Sequence, residues 1–533
     1  MADRGKMQAM AYLHPMSGPS SIFASSAPSL KSKDEAEDGI AEAFRPPRDE
    51  ETGFHQHGGH HTDFDGRDSD IVTFDGPNDP ENPMNWSRKR KWRISMLTAF
   101  MTFVISFGSS VFSATTSVTA EEFGVSSEAM TLGVTLYVVG FASGPLVWGP
   151  LSELYGRRNP LMIGYLGFIL FQIPVAVAND PQTVFVCRFM AGAFGSSPLA
   201  ICAGMYVDFW DRSDRGMPTI GYAGAMMAGP TMGPIVGEFT VKNAALGWRW
   251  TLWLTMIMGA ISWILALFTV PETLAPVLLQ RKAARLRVET KQWALHSKLD
   301  EEPIQLNAIL RKYGLKPVQM ITQEPILIIL TIYISLVYGI LYLIFFAFPF
   351  SFEYDRGWTF GISSLPFVAI FIGVVLACIY MCWETTAIFQ PKLRRANDAL
   401  VPEERLPPMI VGSVVLVIGL FWFAWTSSPS LNPWPQIIAG AFIGAGIIMV
   451  FMPCVLYLVD VYLYAANSAL AANAFVRSLI AASFPLFSTQ MYSSLGVQWA
   501  TSVLGFLCLA LVPFPILFYI YGKKVRSWSK FAV

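Results

Sequence analysis

Twelve apolar stretches of about 20 residues, each long enough to cross a hydrocarbon core of roughly 30 Å as a helix, recur along this chain from Ile94 onward. They are expected near residues 94–114, 129–148, 160–178, 182–205, 217–237 and 250–270, and again near 325–348, 361–382, 408–427, 434–457, 465–489 and 498–521. Only Asn179, Asp180 and Pro181 separate the third from the fourth. A backbone immersed in lipid must satisfy its own hydrogen bonds, so such stretches can only be helices. The fold class expected is therefore an all-α integral membrane protein with twelve transmembrane helices in two six-helix halves about a central polar loop. Charged residues make up 14% of the chain, against about 25% in soluble domains, which excludes a soluble multidomain enzyme. The 38 basic and 38 acidic residues cancel, so no global field favours nucleic acid.

The charges also orient the helices. Arg88, Lys89, Arg90, Lys91 and Arg93 precede the first span, which places the N-terminus in the cytosol. Across alternate sides, the outer connections hold only Lys242, Arg249 and Arg356, so both ends are expected to be cytosolic. The organisation read from this is a disordered cytosolic tail at 1–93, a first half at 94–270, a cytosolic loop at 271–324, a second half at 325–522 and a cytosolic end at 523–533. The start of the chain lacks an apolar h-region, so no cleavable signal peptide is expected. The tail's His55, His57, His60 and His61 read as chance histidines without other metal ligands around them. The central loop, with Arg281, Lys282, Arg285, Arg287, Lys291 and Lys298, has two open readings: an amphipathic helix on the cytosolic leaflet, or a solvated linker. The six cysteines lack zinc or redox spacing and read as small core residues.

Several segments carry a more specific pattern. The turn after the second span reads Gly149-Pro150-Leu151-Ser152-Glu153-Leu154-Tyr155-Gly156-Arg157-Arg158. Span four contains Arg188-Phe189-Met190-Ala191-Gly192, and span five contains Gly229-Pro230-Thr231-Met232-Gly233-Pro234-Ile235-Val236-Gly237. To these add Asn82-Pro83-Met84-Asn85-Trp86, Pro271-Glu272-Thr273, Pro402-Glu403-Glu404-Arg405-Leu406-Pro407-Pro408 and Trp422-Phe423-Ala424-Trp425-Thr426. Together they resemble the major facilitator superfamily, and within it the fungal twelve-span drug:proton antiporters of the multidrug and toxin efflux branch, over about residues 70–526. The resemblance implies alternating access between the two halves. It also implies a cytosolic charge latch in which Glu153, Arg157 and Arg158 meet Asp208, Arg212 and Arg215, with Asp460 as a partner from the other half. Gly149 and Gly156 would shape the turn, and Gly229, Pro230, Gly233 and Pro234 would seal the interface between halves.

No acid and no histidine lies deep in an expected span; Arg188 and Arg477 are the only deeply embedded charges. An intramembrane charge demands a cavity or a partner. Each arginine therefore has two readings, a cavity ligand for an anionic group or a brace on backbone carbonyls. Spans one, four, seven and ten line the central path in the family. From them and span eleven the candidate pathway residues are Arg188, Arg477, Asn473, Ser109, Ser113, Tyr338, Tyr342, Phe346 and Met449, with Glu238 as proton carrier. Without buried carboxylates, neutral or weakly acidic organic substrates are expected rather than polycations.

The function expected is proton-coupled efflux of small organic compounds such as drugs, toxins or secondary metabolites. It is not enzymatic, and it needs no cofactor, metal or ATP, since no Gly-x-x-x-x-Gly-Lys-Ser/Thr loop occurs. The partners expected are the substrate, protons and the bilayer, with no nucleic acid and a monomer as the working unit. The location expected is the plasma membrane, with the vacuolar membrane as the alternative. A proton symporter or facilitator for uptake, a polyamine exporter and a transporter-like sensor are the competing readings.

Overall fold

The computed structural model describes residues 70–301, 314–395, 401–462 and 465–531; the four tail histidines lie outside them. Helix starts are written locally in the sequence. Asp180 accepts from the Thr183 amide at 2.6 Å, and Asn432 from the Trp434 amide at 3.0 Å, each followed by proline in the first turn. Both residue types satisfy or remove amides that a helix leaves orphaned.

The helices of the first half are α1 (Arg88–Phe123), α2 (Ser127–Leu154), α3 (Arg158–Ala176), α4 (Pro181–Phe209), α5 (Gly216–Lys242) and α6 (Arg249–Thr269). Those of the second half are α7 (Pro325–Asp355), α8 (Phe367–Arg395), α9 (Pro407–Trp425), α10 (Pro433–Val461), α11 (466–495) and α12 (497–526). Gly496 separates the last two: its φ of 71° and ψ of 163° break an otherwise continuous helix in a conformation open to glycine. Ten helical stretches among the described residues are long and apolar enough to cross a membrane, with α11 and α12 counted as one. The remaining pass, α5, is too rich in glycine to score as apolar; it packs along α1 instead of presenting bulk to lipid.

The architecture is all-α in two six-helix halves, as expected. The halves meet where α2 packs on α11 and α5 packs on α8. Buried shares of 72%, 78% and 72% in α1, α7 and α10, against 33% in α6, place the first three at the centre and α6 at the rim. The bundle end carrying residues 70–87 and the last described residues is called basal below, and the opposite end the mouth.

One expectation needs correction at the basal end, and one open reading of the central loop gains a helix. The first helix begins at Arg88 rather than Ile94, and residues 70–87, expected as part of a disordered tail, are ordered. The central loop contains a helix, Ala275–Thr290, whose bases bond protein acids. Lys282 Nζ reaches Asp75 at 2.8 Å and Asp79 at 3.2 Å, and Arg285 reaches Glu81 at 2.7 Å. Asp79 also accepts from the amides of Asp75 and Glu81, both at 2.8 Å. Those two amides, then Lys282, hold its carboxyl below the ordinary range despite opposition from burial. A carboxylate held low contributes stability above its unfolded pKa and loses it as pH falls through the folded value. This clasp is therefore intact at neutral pH.

Candidate functional site

At the mouth, α1, α2, α5, α7 and α11 enclose a cavity of about 320 Å³. Of the expected pathway residues, Ser113, Phe346 and Glu238 line it. Glu238 is buried, and its Oε2 accepts from the Gly361 amide at 3.0 Å and from the Ser363 hydroxyl at 3.0 Å. Those donors precede α8, so the carboxylate joins the two halves. Ser363 Oγ also lies 3.5 Å from Glu353, a second carboxylate in the cavity wall. Sequence reasoning did not single out Glu353, because only the fold brings residues 238, 353 and 363 together.

Beneath the cavity lies a packed floor. The Tyr342 hydroxyl donates to Ser109 Oγ at 3.2 Å, linking α7 to α1 across the halves. Ser109 in turn donates to the Ser106 carbonyl at 2.6 Å, and Ser113 to the Ser110 carbonyl at 2.8 Å. The hydroxyl stripe of α1 is thus largely satisfied by its own helix. Tyr342 meets Tyr338 edge-on at 5.2 Å, and the Arg477 guanidinium sits 5.1 Å from the Tyr338 ring centroid. Asn473, one turn before Arg477, accepts from its Nη1 at 3.3 Å and donates to Thr331 Oγ1 at 2.9 Å. Met449 does not line the cavity, and its Cβ would lie 2.4 Å from a side chain built on Gly412, so its helix packs there against α9 within its own half.

Arg188 is fully buried away from the cavity. Its Nε donates to Gly133 O at 3.1 Å, Nη1 to Gly108 O at 2.8 Å and Nη2 to Ser109 O at 3.3 Å. The rings of Phe112 and Tyr137 lie 4.8 and 4.3 Å from it. In this conformation it braces α1, α2 and α4, and the second of its two readings describes its geometry.

At the basal end, one charge pair sits inside each half in a repeated arrangement. Arg157 meets Asp208 at 3.1 Å, and Arg405 meets Asp460 at 2.9 Å. Asp460, expected as a partner for the first half's latch, is thus ion-paired inside its own half. Arg215, at the start of α5, still feels it: burial draws the Arg215 charge down and Asp460 opposes that. Arg212 lies in the turn between α4 and α5. Gly149 and Pro150 are inside α2. The reversal itself rests on Gly156, whose φ is 88° and whose absent side chain would sit 2.3 Å from Glu272. Glu272 accepts from the amides of Arg157 at 2.8 Å and Arg158 at 3.2 Å, capping α3 from the end of α6. The halves are joined directly by the Asn467 amide donating to Glu153 and by Gln390 Nε2 donating to Ser213 O at 2.8 Å.

The span-five motif has two faces. Side chains built on Gly229, Gly233 and Gly237 would strike α1 within the same half, whereas Gly224 faces Cys378 of α8 across the interface. Pro230 is buried and Pro234 lines the mouth cavity.

Removing one latch in each half should shift the population toward basal opening. Charge-assisted bonds are worth about 1.5–3 kcal/mol, so Asp208→Asn should move the equilibrium about tenfold, and Asp460→Asn similarly. Distances between spin labels at the basal ends of α4 and α10 would read this; an unchanged distribution in both variants would show the latches to be structural only.

This geometry, a cavity open at one end and a pseudo-repeated latch at the other, is matched by similarity over most of the sequence. The family model of the Major Facilitator Superfamily matches residues 98–485. The chain belongs to the major facilitator superfamily. A citrinin biosynthesis cluster MFS transporter of Monascus ruber is 52% identical over 463 residues, covering 87% of this chain and 92% of its own length. An ascochitine biosynthesis cluster MFS transporter of Didymella fabae is 47% identical, covering 87% of this chain and 90% of its own. A cercosporin MFS transporter of Cercospora nicotianae is 42% identical, with the same coverages. The solved proton:xylose symporter XylE shares the fold at a TM-score of 0.60 and 16% identity, over 82% of this chain and 96% of that one. This major facilitator protein is therefore a multi-pass membrane transporter of small molecules and not an enzyme.

Proposed function

We propose that this transporter is a proton-coupled antiporter that exports a small organic metabolite or toxin, neutral or weakly acidic, by alternating access. The observation that carries the reading is its similarity to transporters named for citrinin, ascochitine and cercosporin. The floor of the mouth cavity supports the substrate class: Ser109, Tyr338, Tyr342, Asn473 and Arg477 contribute hydroxyls, rings and a cation but no carboxylate. A polycation such as a polyamine would pass Glu128, Glu238 and Glu353 in the cavity wall and then meet a positive charge at the floor.

In this reading the basal end faces the cytosol and the mouth faces outward, at the plasma membrane. Protons arriving at the mouth reach Glu238, whose carboxylate joins α5 to the segment before α8. The basal latches hold the outward-facing state, and the protein works as a monomer without a cofactor.

The test is substrate-dependent proton movement in proteoliposomes, screening cationic, neutral and acidic aromatic compounds. Proton flux opposite to a neutral or acidic compound is expected, and Glu238→Gln should reduce it at least about tenfold, as loss of a positioned proton-transfer group does. Flux in the same direction as the compound would make the protein an uptake carrier. Binding without flux would make it a sensor.

A further inference from the structure

The two arginines embedded in the spans, Arg188 fully buried and Arg477 partly so, are treated in opposite ways. Arg188 directs all three kinds of guanidinium nitrogen at backbone carbonyls of α1 and α2. Among the described residues, Arg477 makes one side-chain hydrogen bond, from Nη1 to Asn473 at 3.3 Å, and its Nε is buried with no partner. Its neighbours are rings: Tyr338 at 5.1 Å and Phe451 at 4.8 Å, the two ring centroids 6.0 Å apart. A guanidinium carries five donors in a planar fork matched to a carboxylate. One left with an orphaned nitrogen has donor capacity in reserve, at a desolvation cost that its own fold does not offset.

A chain of packed rings leads from the cavity to this group. Phe345 lines the cavity, and Tyr342 meets it edge-on at 5.4 Å. Tyr338 follows at 5.2 Å from Tyr342, and Arg477 lies against Tyr338. The seven steps of helix from Phe345 to Tyr338 span about 10 Å of α7. Between the rings and α1, the Tyr342 hydroxyl makes a neutral hydrogen bond to Ser109 across the halves. Asn473 positions the arginine: its amide nitrogen is committed to Thr331, which turns its oxygen toward Arg477.

We infer that Arg477 is the anion subsite of the transport path, taking the carboxylate of an aromatic compound whose ring stacks on Tyr338 and Phe451 once the Tyr342–Ser109 contact opens. The inference rests on the exporter reading for the direction of movement alone; recognition of the carboxylate is independent of it. A neutral ester of the same compound keeps the stacking and loses the charge-assisted pair. The orphaned guanidinium therefore discriminates acid from ester.

The experiment is equilibrium binding, at neutral pH, of aromatic carboxylic acids of one to three rings, each beside its methyl ester, to the purified full-length transporter. The wild type should prefer an acid to its ester by about tenfold or more, the scale of one charge-assisted bond. Arg477→Gln should abolish that preference while retaining the ester's affinity and the thermal stability of the parent. Arg477→Lys should restore part of it, because an ammonium supplies the charge without the planar fork.

Equal binding of acid and ester by the wild type, or binding of neither, overturns the inference. So does an acid preference that survives in Arg477→Gln. Acid preference without proton-driven export would leave the subsite standing and sink the exporter reading. Proton-driven export of neutral compounds without acid preference would do the reverse.

Discussion

Arg188→Leu should lower the transporter's thermal stability by at least roughly 3 kcal/mol before any effect on substrate affinity can be read. The guanidinium donates to buried carbonyls of Gly108, Ser109 and Gly133. Each buried acceptor left without its partner costs about 1–3 kcal/mol. The carbonyls of α1 lie just before a 3-10 turn at Val111–Thr115, where helical hydrogen bonding changes register and outside donors matter most. The rings of Phe112 and Tyr137 also lose a desolvated cation, worth up to about 2 kcal/mol. Arg188→Lys should recover little, since one ammonium cannot bridge carbonyls of two helices along a planar fork. Thermal unfolding and size-exclusion behaviour in detergent would show the loss. A variant as stable as the parent, changed only in its affinity for an anionic compound, would make Arg188 a substrate ligand instead of a brace.

Gly233→Val should be comparably damaging, and Gly221→Val on the same helix should be harmless. A side chain on Gly233 would begin 1.9 Å from Ser110 Oγ and 2.8 Å from the Val111 backbone nitrogen. The serine hydroxyl can turn, but the backbone of α1 cannot, so α5 must move away. Overpacking of this kind costs typically 1–3 kcal/mol. Here it also separates the helix carrying Glu238 from α1, so transport should fall further than stability. A side chain on Gly221 meets nothing within 4 Å, and valine there should remain within about 0.5 kcal/mol of the parent, as surface changes usually do. Transport by the two variants at matched expression would decide it. Equal activity would show that the glycine spacing of α5 has no bearing on close packing against α1.

These contrasts mark how much of the site was legible. Arg188 and Arg477 stood out in the sequence because a charge inside an apolar span is costly wherever it points. Which of them was already satisfied was not legible, since the deciding partners are backbone carbonyls 55 to 80 residues away. Met449 was assigned to the pathway by its helix, and its Cβ contact with Gly412 of α9 could not be read from that assignment. Glu353 and Ser363 drew no notice, because an acid and a serine in an outer connection look ordinary until a third residue, Glu238, is folded against them. Asp460 was read as a cross-half partner; its ion pair with Arg405 arises because each half repeats the same arrangement.

The sequence by itself determined the all-helical membrane fold, the two six-helix halves and the family. Those follow from the length and spacing of apolar stretches and from contiguous motifs, which are local properties that lipid enforces on any chain. Tertiary structure alone decided which buried charge is spare, which end of the path is closed and which acids meet at the mouth. Those depend on helix rotation and on contacts between residues far apart in the chain, where a few tenths of an ångström separate a satisfied donor from an orphaned one.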